Sequence, residues 1–369
     1  MITRRLVLAA AASLAALSLS LTGCSKSPTT STTSPTTTIS AGSTATSAAP
    51  TTSAAPTTSA APSTSAAPTS TGKTFTIGSA VIVSHPSLEA VQKGFEDVLK
   101  EQGISYTMVN QNAQGDVANA ATIASSFAAN KNLDLILAIS TPIAQAMANA
   151  DKTHPILFSA VTDPVAAGLV PSWDKAGANI SGTSDLNPEG KPVTMVTEAI
   201  PGIKTIGILY NSSEPNSLTQ VKALQEEAKG LNGVTLKPQA ITSAAEISTG
   251  LEALSGVQAI LVPTDNTVVA AMATVIAFGQ SKKIPVFSSD TTPVKDGTVS
   301  ARGLSYYDLG RATGDMAVKI LRDGVNVSTI KPETPTATEL IVNPDAAKAF
   351  GLTLPDSFTK GATIVHTAA

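Results

Sequence analysis

Short apolar runs alternate with amphipathic stretches along the chain from about residue 75 onward. Continuous apolar runs such as LDLILAIS at 133–140 are typical of strands buried on both faces, whereas apolar residues three and four positions apart predict helices. The first half predicts strands and helices at 76–83, 86–102, 104–111, 116–129 and 133–140, then a helix opening at Thr141-Pro142. The second half predicts them at 204–210, 215–230, 234–239, 244–254, 258–262, 266–279 and 285–288, with a late helix at 308–323 and a late strand at 338–342. This alternation predicts a parallel sheet in each half.

The two halves also resemble each other in sequence. TIG at 76–78 is followed by His85-Pro86, and TIG at 205–207 is followed at the same spacing by Glu214-Pro215. LDLILAIST at 133–141 has a counterpart in VQAILVPTD at 257–265. We therefore expect an α/β fold of two Rossmann-like lobes with parallel sheets, and a ligand cleft between the carboxyl ends of their strands.

The N-terminal region predicts export and attachment to a membrane. Arg4 and Arg5 precede an apolar run that ends at Leu-Thr-Gly-Cys24, so residues 1–23 have the pattern of a lipoprotein signal peptide and Cys24 is the expected lipidation site. An ordinary cleaved signal with an incidental cysteine is the alternative. Residues 24–72 are almost entirely Ser, Thr, Ala and Pro, which predicts a disordered tether.

Composition and motifs argue against several kinds of chemistry. The net charge is −3 and aromatic residues make up 4%, so nucleic acid is not an expected partner. The three histidines have no metal-binding spacing and no G-x-S-x-G motif occurs, so neither a metal, a cofactor nor an enzyme activity is expected. A Ser–His–Asp triad with His85 as base, or paired carboxylates from Asp163, Asp265 and Asp290, remain as alternatives.

Short polar side chains at the strand ends form the candidate ligand site. In the first lobe they are Ser84, His85, Gln114, Ser140, Thr141, Thr162 and Asp163; in the second they are Asn211, Ser212, Ser213, Glu214, Thr264, Asp265, Asn266 and Asp290; Tyr306 precedes the late helix. Helix starts after Ser140-Thr141 and near Ser212-Ser213 suit a carboxylate, and Asp163 or Asp290 suits an ammonium group. Each of these residues could instead be a simple helix cap or turn former.

Several of these segments together resemble a known family. HPSLEAVQKGF, NAQGD, STPIAQA, SAVTDPVAAGLV, TIGILYNSSEPNS, VPTDNTVV and SYYDLG are similar to segments of the ABC transporter substrate-binding lipoproteins of the tryptophan/phenylalanine type. The resemblance runs from about residue 73 to 354. The chain departs from it before His85-Pro86, where Ser84 stands in place of a common Glu, and at Asp290-Thr-Thr, where Asp-Thr-Asp is common.

The resemblance implies a type I periplasmic-binding fold whose chain crosses three times between the lobes. It places lobe 1 at 73–186 plus 300–326, lobe 2 at 187–299 plus 327–358, and a tail at 359–369. It also implies capture of an amino acid, of the aromatic class, and its delivery to a membrane permease with a cytoplasmic ATPase. A ligand-sensing receptor domain on the same fold, without transport, is the alternative.

Overall fold

The computed structural model describes residues 72–335 and 337–367, and the signal peptide, Cys24 and nearly all of the expected tether lie outside these residues. The first sheet contains five parallel strands in the order β2-β1-β3-β4-β5. Its strands and helices are β1 (Phe75–Val81), α1 (Pro86–Glu101), β2 (Tyr106–Asn112), α2 (Val117–Ala129), β3 (Leu135–Ile139), α3 (Thr141–Ala150), β4 (Ile156–Ser159) and β5 (Ile180–Gly182). Asp116 caps α2 as expected, accepting hydrogen bonds from the backbone N–H groups of Ala118 and Asn119.

The second sheet repeats the arrangement of the first, with four parallel strands in the order β7-β6-β8-β9. Its elements are α4 (Pro192–Ala199), β6 (Thr205–Asn211), α5 (Pro215–Lys229), β7 (Thr235–Ile241), α6 (Ile247–Ala253), β8 (Ala259–Val262), α7 (Asn266–Ala270), α8 (Met272–Lys282) and β9 (Val286–Ser288). The sequence repeat thus corresponds to a structural repeat. The helix expected at 266–279 is interrupted at Ala271, which lies between α7 and α8.

The last part of the chain returns to both lobes. It comprises β10 (Ser300–Gly303), α9 (Tyr306–Leu321), β11 (Glu339–Val342), α10 (Pro344–Phe350), α11 (Asp356–Thr359) and β12 (Thr363–Ile364). Strands β10, β11 and β12 form a small third sheet. The residues expected to form a tail therefore include a strand, because β12 pairs with β11 and the Asn343 amide donates to the Thr367 hydroxyl.

Two separate apolar cores define the lobes. The first core takes residues from 75 to 180 and again from 304 to 330, and the second takes residues from 193 to 299 and again from 342 to 358. The chain consequently passes between the lobes three times, and the first and third passages are joined where Thr183 pairs with Glu333. Val327 and Ile330 pack in the first core, although they were expected in the second lobe.

Helix α9 carries Tyr306 to the cleft and is held close against α1. A Cβ atom on Gly310 would lie 2.0 Å from the carbonyl oxygen of Val91, and one on Gly94 would lie 2.1 Å from that of Tyr307. Only glycine permits this backbone approach. The two helices therefore form a tight unit beside the cleft.

Candidate functional site

A cavity of about 320 Å³ lies between the two lobes. Its walls come mainly from the first two passages between the lobes, which follow β5 and β10, and from one face of α5. The lining residues are Thr162, Asp185, Leu186, Asn187, Pro188, Lys191, Pro192, Gln220, Ala223, Leu224, Glu227, Thr264, Ser289, Arg302, Gly303, Leu304 and Tyr306. A cavity of this size suits a small molecule.

A small polar chamber, with a free volume of about 10 Å³, adjoins the cavity. Thr162, Asp185, Thr264 and Tyr306 line both spaces. The chamber is completed by His85, Leu88, Ala160, Asn216, Asp265, Asn266, Val269 and Asp290. Sequence-predicted residues from both lobes thus meet here: His85, Thr162, Thr264, Asp265, Asn266, Asp290 and Tyr306.

Asp185 is the acidic group best placed to bind a ligand. One carboxylate oxygen accepts a hydrogen bond of 3.0 Å from the Tyr306 hydroxyl. The other oxygen, Oδ1, is buried and has no hydrogen-bond partner among the described residues. Burial raises the pKa of Asp185, opposed by the nearby Thr162 hydroxyl and by the hydrogen bond from Tyr306. A cation entering the cavity would supply the missing partner.

Asn216 offers a second acceptor with a fixed orientation. Its amide nitrogen donates to Glu214 Oε2 and to the Thr264 carbonyl oxygen, both at 3.1 Å. Rotation of the amide would turn its oxygen toward these two acceptors, so the observed orientation is the stable one. Asn216 Oδ1 is buried and has no partner among the described residues. It therefore presents an acceptor at the wall of the chamber.

The buried carboxylate of Glu214 fixes the side chains on the second-lobe side of the chamber by hydrogen bonds. Its carboxylate accepts from the Asn266 backbone and side-chain amides, from the Thr267 backbone N–H and hydroxyl, and from Asn216. Asp265 likewise turns inward, accepting from the Asn211 N–H, the Ser217 hydroxyl and the Val268 N–H. The hydrogen bonds of Glu214 and Asp265 are made within the second lobe. These two carboxylates therefore hold neighbouring residues in place rather than face the cavity.

His85 contributes a neutral imidazole to the chamber. The residue is 6% exposed, and neither ring nitrogen makes a hydrogen bond of normal geometry within the described residues. Burial lowers the pKa of His85 to about 4, which the neighbouring Asn266 side chain partly opposes. The neutral ring has one N–H donor and one acceptor nitrogen to offer a ligand.

Ser140 and Thr141 begin α3 beside the chamber, although they do not line either space. Both hydroxyls are buried without a partner among the described residues. Ser140 has a φ of 85°, an uncommon conformation for a residue with a side chain. The free N–H groups of the first turn of α3 and these hydroxyls together can accommodate negative charge.

The lobes are closed on one another in this structure. The Ser87 hydroxyl, at the start of α1 in the first lobe, donates to Asp290 Oδ2 in the second. Gln220 of α5 approaches Thr162 of the first lobe, with 3.5 Å between Gln220 Nε2 and Thr162 Oγ1. Burial raises the pKa of Asp290 to about 6, while the hydrogen bonds from Ser87 and Thr292 act in the opposite direction.

The remaining sequence-predicted residues do not reach the cavity. Asp163 accepts from the N–H groups of Val165 and Ala166 and forms a local turn. Ser84 is exposed, and its hydroxyl accepts a hydrogen bond from the Asn112 amide. The Asn112 side-chain oxygen in turn accepts from the backbone N–H of Gln114, which is also exposed. Ser212 donates to the Ile241 carbonyl oxygen, and Ser213 is exposed. Asn211 is buried within the second lobe, where it contacts Thr267.

Sequence reasoning missed Asp185, Asn216 and Ser87. Asp185 follows β5, a three-residue strand that no apolar run marks. Asn216 and Ser87 occupy the same position two residues after Glu214 and His85 in the internal repeat, so comparison of the two halves could have identified them. Within the described residues, no group of three or more His, Cys, Asp or Glu side chains is arranged to hold a metal ion.

The chain is similar to proteins of Clostridioides difficile and Rickettsia prowazekii. A tyrosine-binding protein from Clostridioides difficile (strain R20291) is 39% identical over 285 residues, which cover 76% of this chain and 82% of that protein. An uncharacterized protein from Rickettsia prowazekii (strain Madrid E) is 24% identical over 246 residues, covering 66% of this chain and 75% of that protein.

Solved structures show the same architecture. The ABC domain in complex with L-Trp from Streptococcus pneumonia superposes with a TM-score of 0.75 at 36% identity, covering 79% of this chain and 100% of that one. The ligand-free, open structure of a substrate-binding protein with adhesive properties from Clostridium difficile superposes with a TM-score of 0.59 at 42% identity. The match covers 80% of this chain and 100% of that one. The more identical structure superposes less well, which agrees with the closed lobes seen here. The fold is that of a type I periplasmic-binding protein.

The family model for ABC transporter substrate binding proteins matches residues 76–366, which are most of the chain and nearly all of both lobes. A solute-binding protein requires two lobes around a cleft and polar atoms that are free to bind a ligand there, and this structure has both. The family is one of solute-binding proteins, not of enzymes. The chain belongs to the family of ABC transporter substrate binding proteins.

Proposed function

We propose that this protein is an extracytoplasmic solute-binding lipoprotein that captures an aromatic amino acid in its cleft and delivers it to an ABC importer. The single observation that carries the proposal is the unpaired oxygen of Asp185, buried where an apolar cavity meets a polar chamber. An α-amino acid has a cationic group that needs such an acceptor and, in the aromatic class, a large apolar side chain that fits the cavity.

The charged end of the amino acid is assigned to the end of the cavity that adjoins the polar chamber, where Asp185 and Tyr306 line both spaces. The ammonium group pairs with Asp185 Oδ1 and donates to Asn216 Oδ1, both of which lack partners among the described residues. The carboxylate takes its donor from a neutral group, the His85 imidazole. Buried charges are stabilised when they are paired and hydrogen-bonded, so the closed cleft favours a zwitterion over an uncharged compound.

The side chain is assigned to the larger cavity. Leu186, Pro188, Pro192, Leu224 and Leu304 give this cavity apolar walls. The names of the relatives, one a tyrosine-binding protein and one a complex with L-Trp, support an aromatic side chain. Burial of such a side chain is worth roughly 1.5–3 kcal/mol.

A lipid anchor would keep the protein beside its permease. We propose that Cys24 carries lipid and that residues 24–72 span the distance between the membrane surface and the folded lobes. No helix in the described part of the chain is long and apolar enough to cross a membrane. The proposed partners are the membrane, through the lipid on Cys24, and the permease with its cytoplasmic ATPase.

A thermal-shift panel tests the proposal. The ligand-free domain is mixed with each common L-amino acid, and with sugars and polyamines as controls. Ligand at about 100 times Kd stabilises the folded state by about 2.7 kcal/mol, which raises Tm measurably. We expect shifts with aromatic amino acids and none with the controls. A shift with a sugar alone contradicts the proposal.

A further inference from the structure

The larger cavity is elongated along α5. Gln220, Ala223, Leu224 and Glu227 line it, and their spacing places them on one face of the helix. Seven residues of helix rise separate Gln220 from Glu227, a length of about 10 Å. Gln220 lies at the end next to the polar chamber, because its side-chain oxygen accepts from the Thr264 N–H. The ligand side chain therefore points toward Glu227.

The far end of the cavity contains charged side chains that are held in place. Glu227 accepts from the N–H groups of Val193 and Thr194 at the start of α4, and from the Thr194 hydroxyl. Arg302 donates to Glu198 of α4 at 2.6 Å, and its carbonyl oxygen accepts from the Asn187 amide. The start of α4 is thus bonded to α5, and its last turn is bonded to the end of β10.

The side chains at the far end of the cavity that are free to make further hydrogen bonds are donors. In residues 72–335 and 337–367, the Arg302 guanidinium has no hydrogen bond beyond the one to Glu198, and the Lys191 ammonium has none. Both side chains line the cavity. Glu227 is the one carboxylate among the lining residues at this end, and the start of α4 already occupies its oxygens.

The charges at this end also balance. Arg302 and Lys191 are offset by Glu198 and Glu227, so a neutral acceptor fits better than an anion. Resting on the proposed function, we propose that Arg302 and Lys191 form a subsite for a neutral oxygen at the far end of an aromatic ring, the phenol of tyrosine. Arg302, which is better buried than the exposed Lys191, makes the stronger contact. Phenylalanine would leave these donors without an acceptor, and a phosphate group would add uncompensated charge.

Calorimetric titration of the full folded domain tests the subsite with tyrosine, phenylalanine and O-phosphotyrosine. The parent protein is expected to bind tyrosine about tenfold more tightly than phenylalanine, since a hydrogen bond to a charged donor is worth that factor or more. O-phosphotyrosine is expected to bind more weakly than tyrosine. In Arg302→Met the preference for tyrosine over phenylalanine should fall below about threefold, while phenylalanine binding is retained.

Two further variants keep the test decisive. Lys191→Asn removes the charge at a position with a φ of 41°, a conformation that asparagine tolerates, and should lower the preference less than Arg302→Met. Arg322→Met is the matched control, because Arg322 is paired with Asp323 and does not line the cavity. An equal preference in parent and Arg302→Met, or tighter binding of O-phosphotyrosine, overturns the subsite. Absence of binding by all three aromatic ligands in the parent overturns the proposed function instead.

Discussion

The hydroxyl of Ser87 donates a hydrogen bond to Asp290 across the closed cleft, joining residues that lie 203 positions apart in the sequence. Ser87 is fully buried at the start of α1, and Asp290 is 1% exposed at the end of β9. Opening of the lobes would break this bond and return both groups to water. The pair is therefore a contact that belongs to the closed state, next to the polar chamber that adjoins the ligand cavity.

Ser87→Ala should weaken ligand binding by shifting the lobes toward the open state. Losing a hydrogen bond to a charged group costs about 1.5–3 kcal/mol, so Kd should rise roughly tenfold or more. Calorimetry gives Kd, and small-angle scattering gives the radius of gyration with and without ligand. Ser125→Ala is the control, since Ser125 is exposed on α2 and bonds only to its own helix. Parent-like binding by Ser87→Ala would show that this contact does not stabilise closure.

Asp290 should make the stability of the ligand-free protein depend on pH. Its pKa is raised from 3.8 to about 6, so between these values the folded protein holds more protons than the unfolded chain. The free energy of unfolding therefore falls as pH rises from about 4 to 6, by up to about 3 kcal/mol from this group. Urea unfolding of parent and Asp290→Asn at pH 4, 5, 6 and 7 measures the effect. A difference between the two proteins that is constant with pH would contradict it.

Gly310→Ala should destabilise the first lobe. The added Cβ would lie 2.0 Å from the Val91 carbonyl oxygen, so α1 and α9 would have to separate. Overpacking of this kind costs roughly 1–3 kcal/mol, measured by denaturant unfolding. Gly256→Ala is the matched control, because its Cβ would meet nothing within 4 Å. Equal stability of the two variants would mean that α9 can move away from α1 at little cost.

Cys24→Ala should release the protein from the membrane. Under the proposed lipid modification of Cys24 the acyl chains hold the protein at the membrane, whereas the alanine variant would have no site for the lipid. Membrane and soluble fractions of cells expressing each form are compared by immunoblot. If the alanine variant stays in the membrane fraction to the same extent as the parent, another feature of the chain provides the attachment.

The sequence predicted the fold well because local patterns determine most of it. Apolar runs such as β3 and the proline starts of α1, α3 and α5 are readable without any tertiary contact. The weak points were short elements, such as β5 and β12, whose two or three residues form strands only because a neighbouring strand is present.

The site was harder to predict because Asp163 and Asp185, which follow neighbouring strands of the first sheet, have different roles. Asp163 precedes Pro164 and satisfies its carboxylate with the turn that follows. Asp185 is positioned by Tyr306, 121 residues away, a relationship with no local signature. Tertiary contacts, rather than sequence neighbours, decide which carboxylate keeps an oxygen free for a ligand.

The most direct test of the account is calorimetric titration of parent, Asp185→Asn and Asp163→Asn with tyrosine and tryptophan. Circular dichroism and thermal unfolding confirm that each protein is folded. Loss of one partner from a buried charge pair costs about 2–5 kcal/mol, so Asp185→Asn should bind at least about thirtyfold more weakly. Asp163→Asn should bind like the parent. Parent-like binding by folded Asp185→Asn would contradict the assignment of the ammonium group to this cleft.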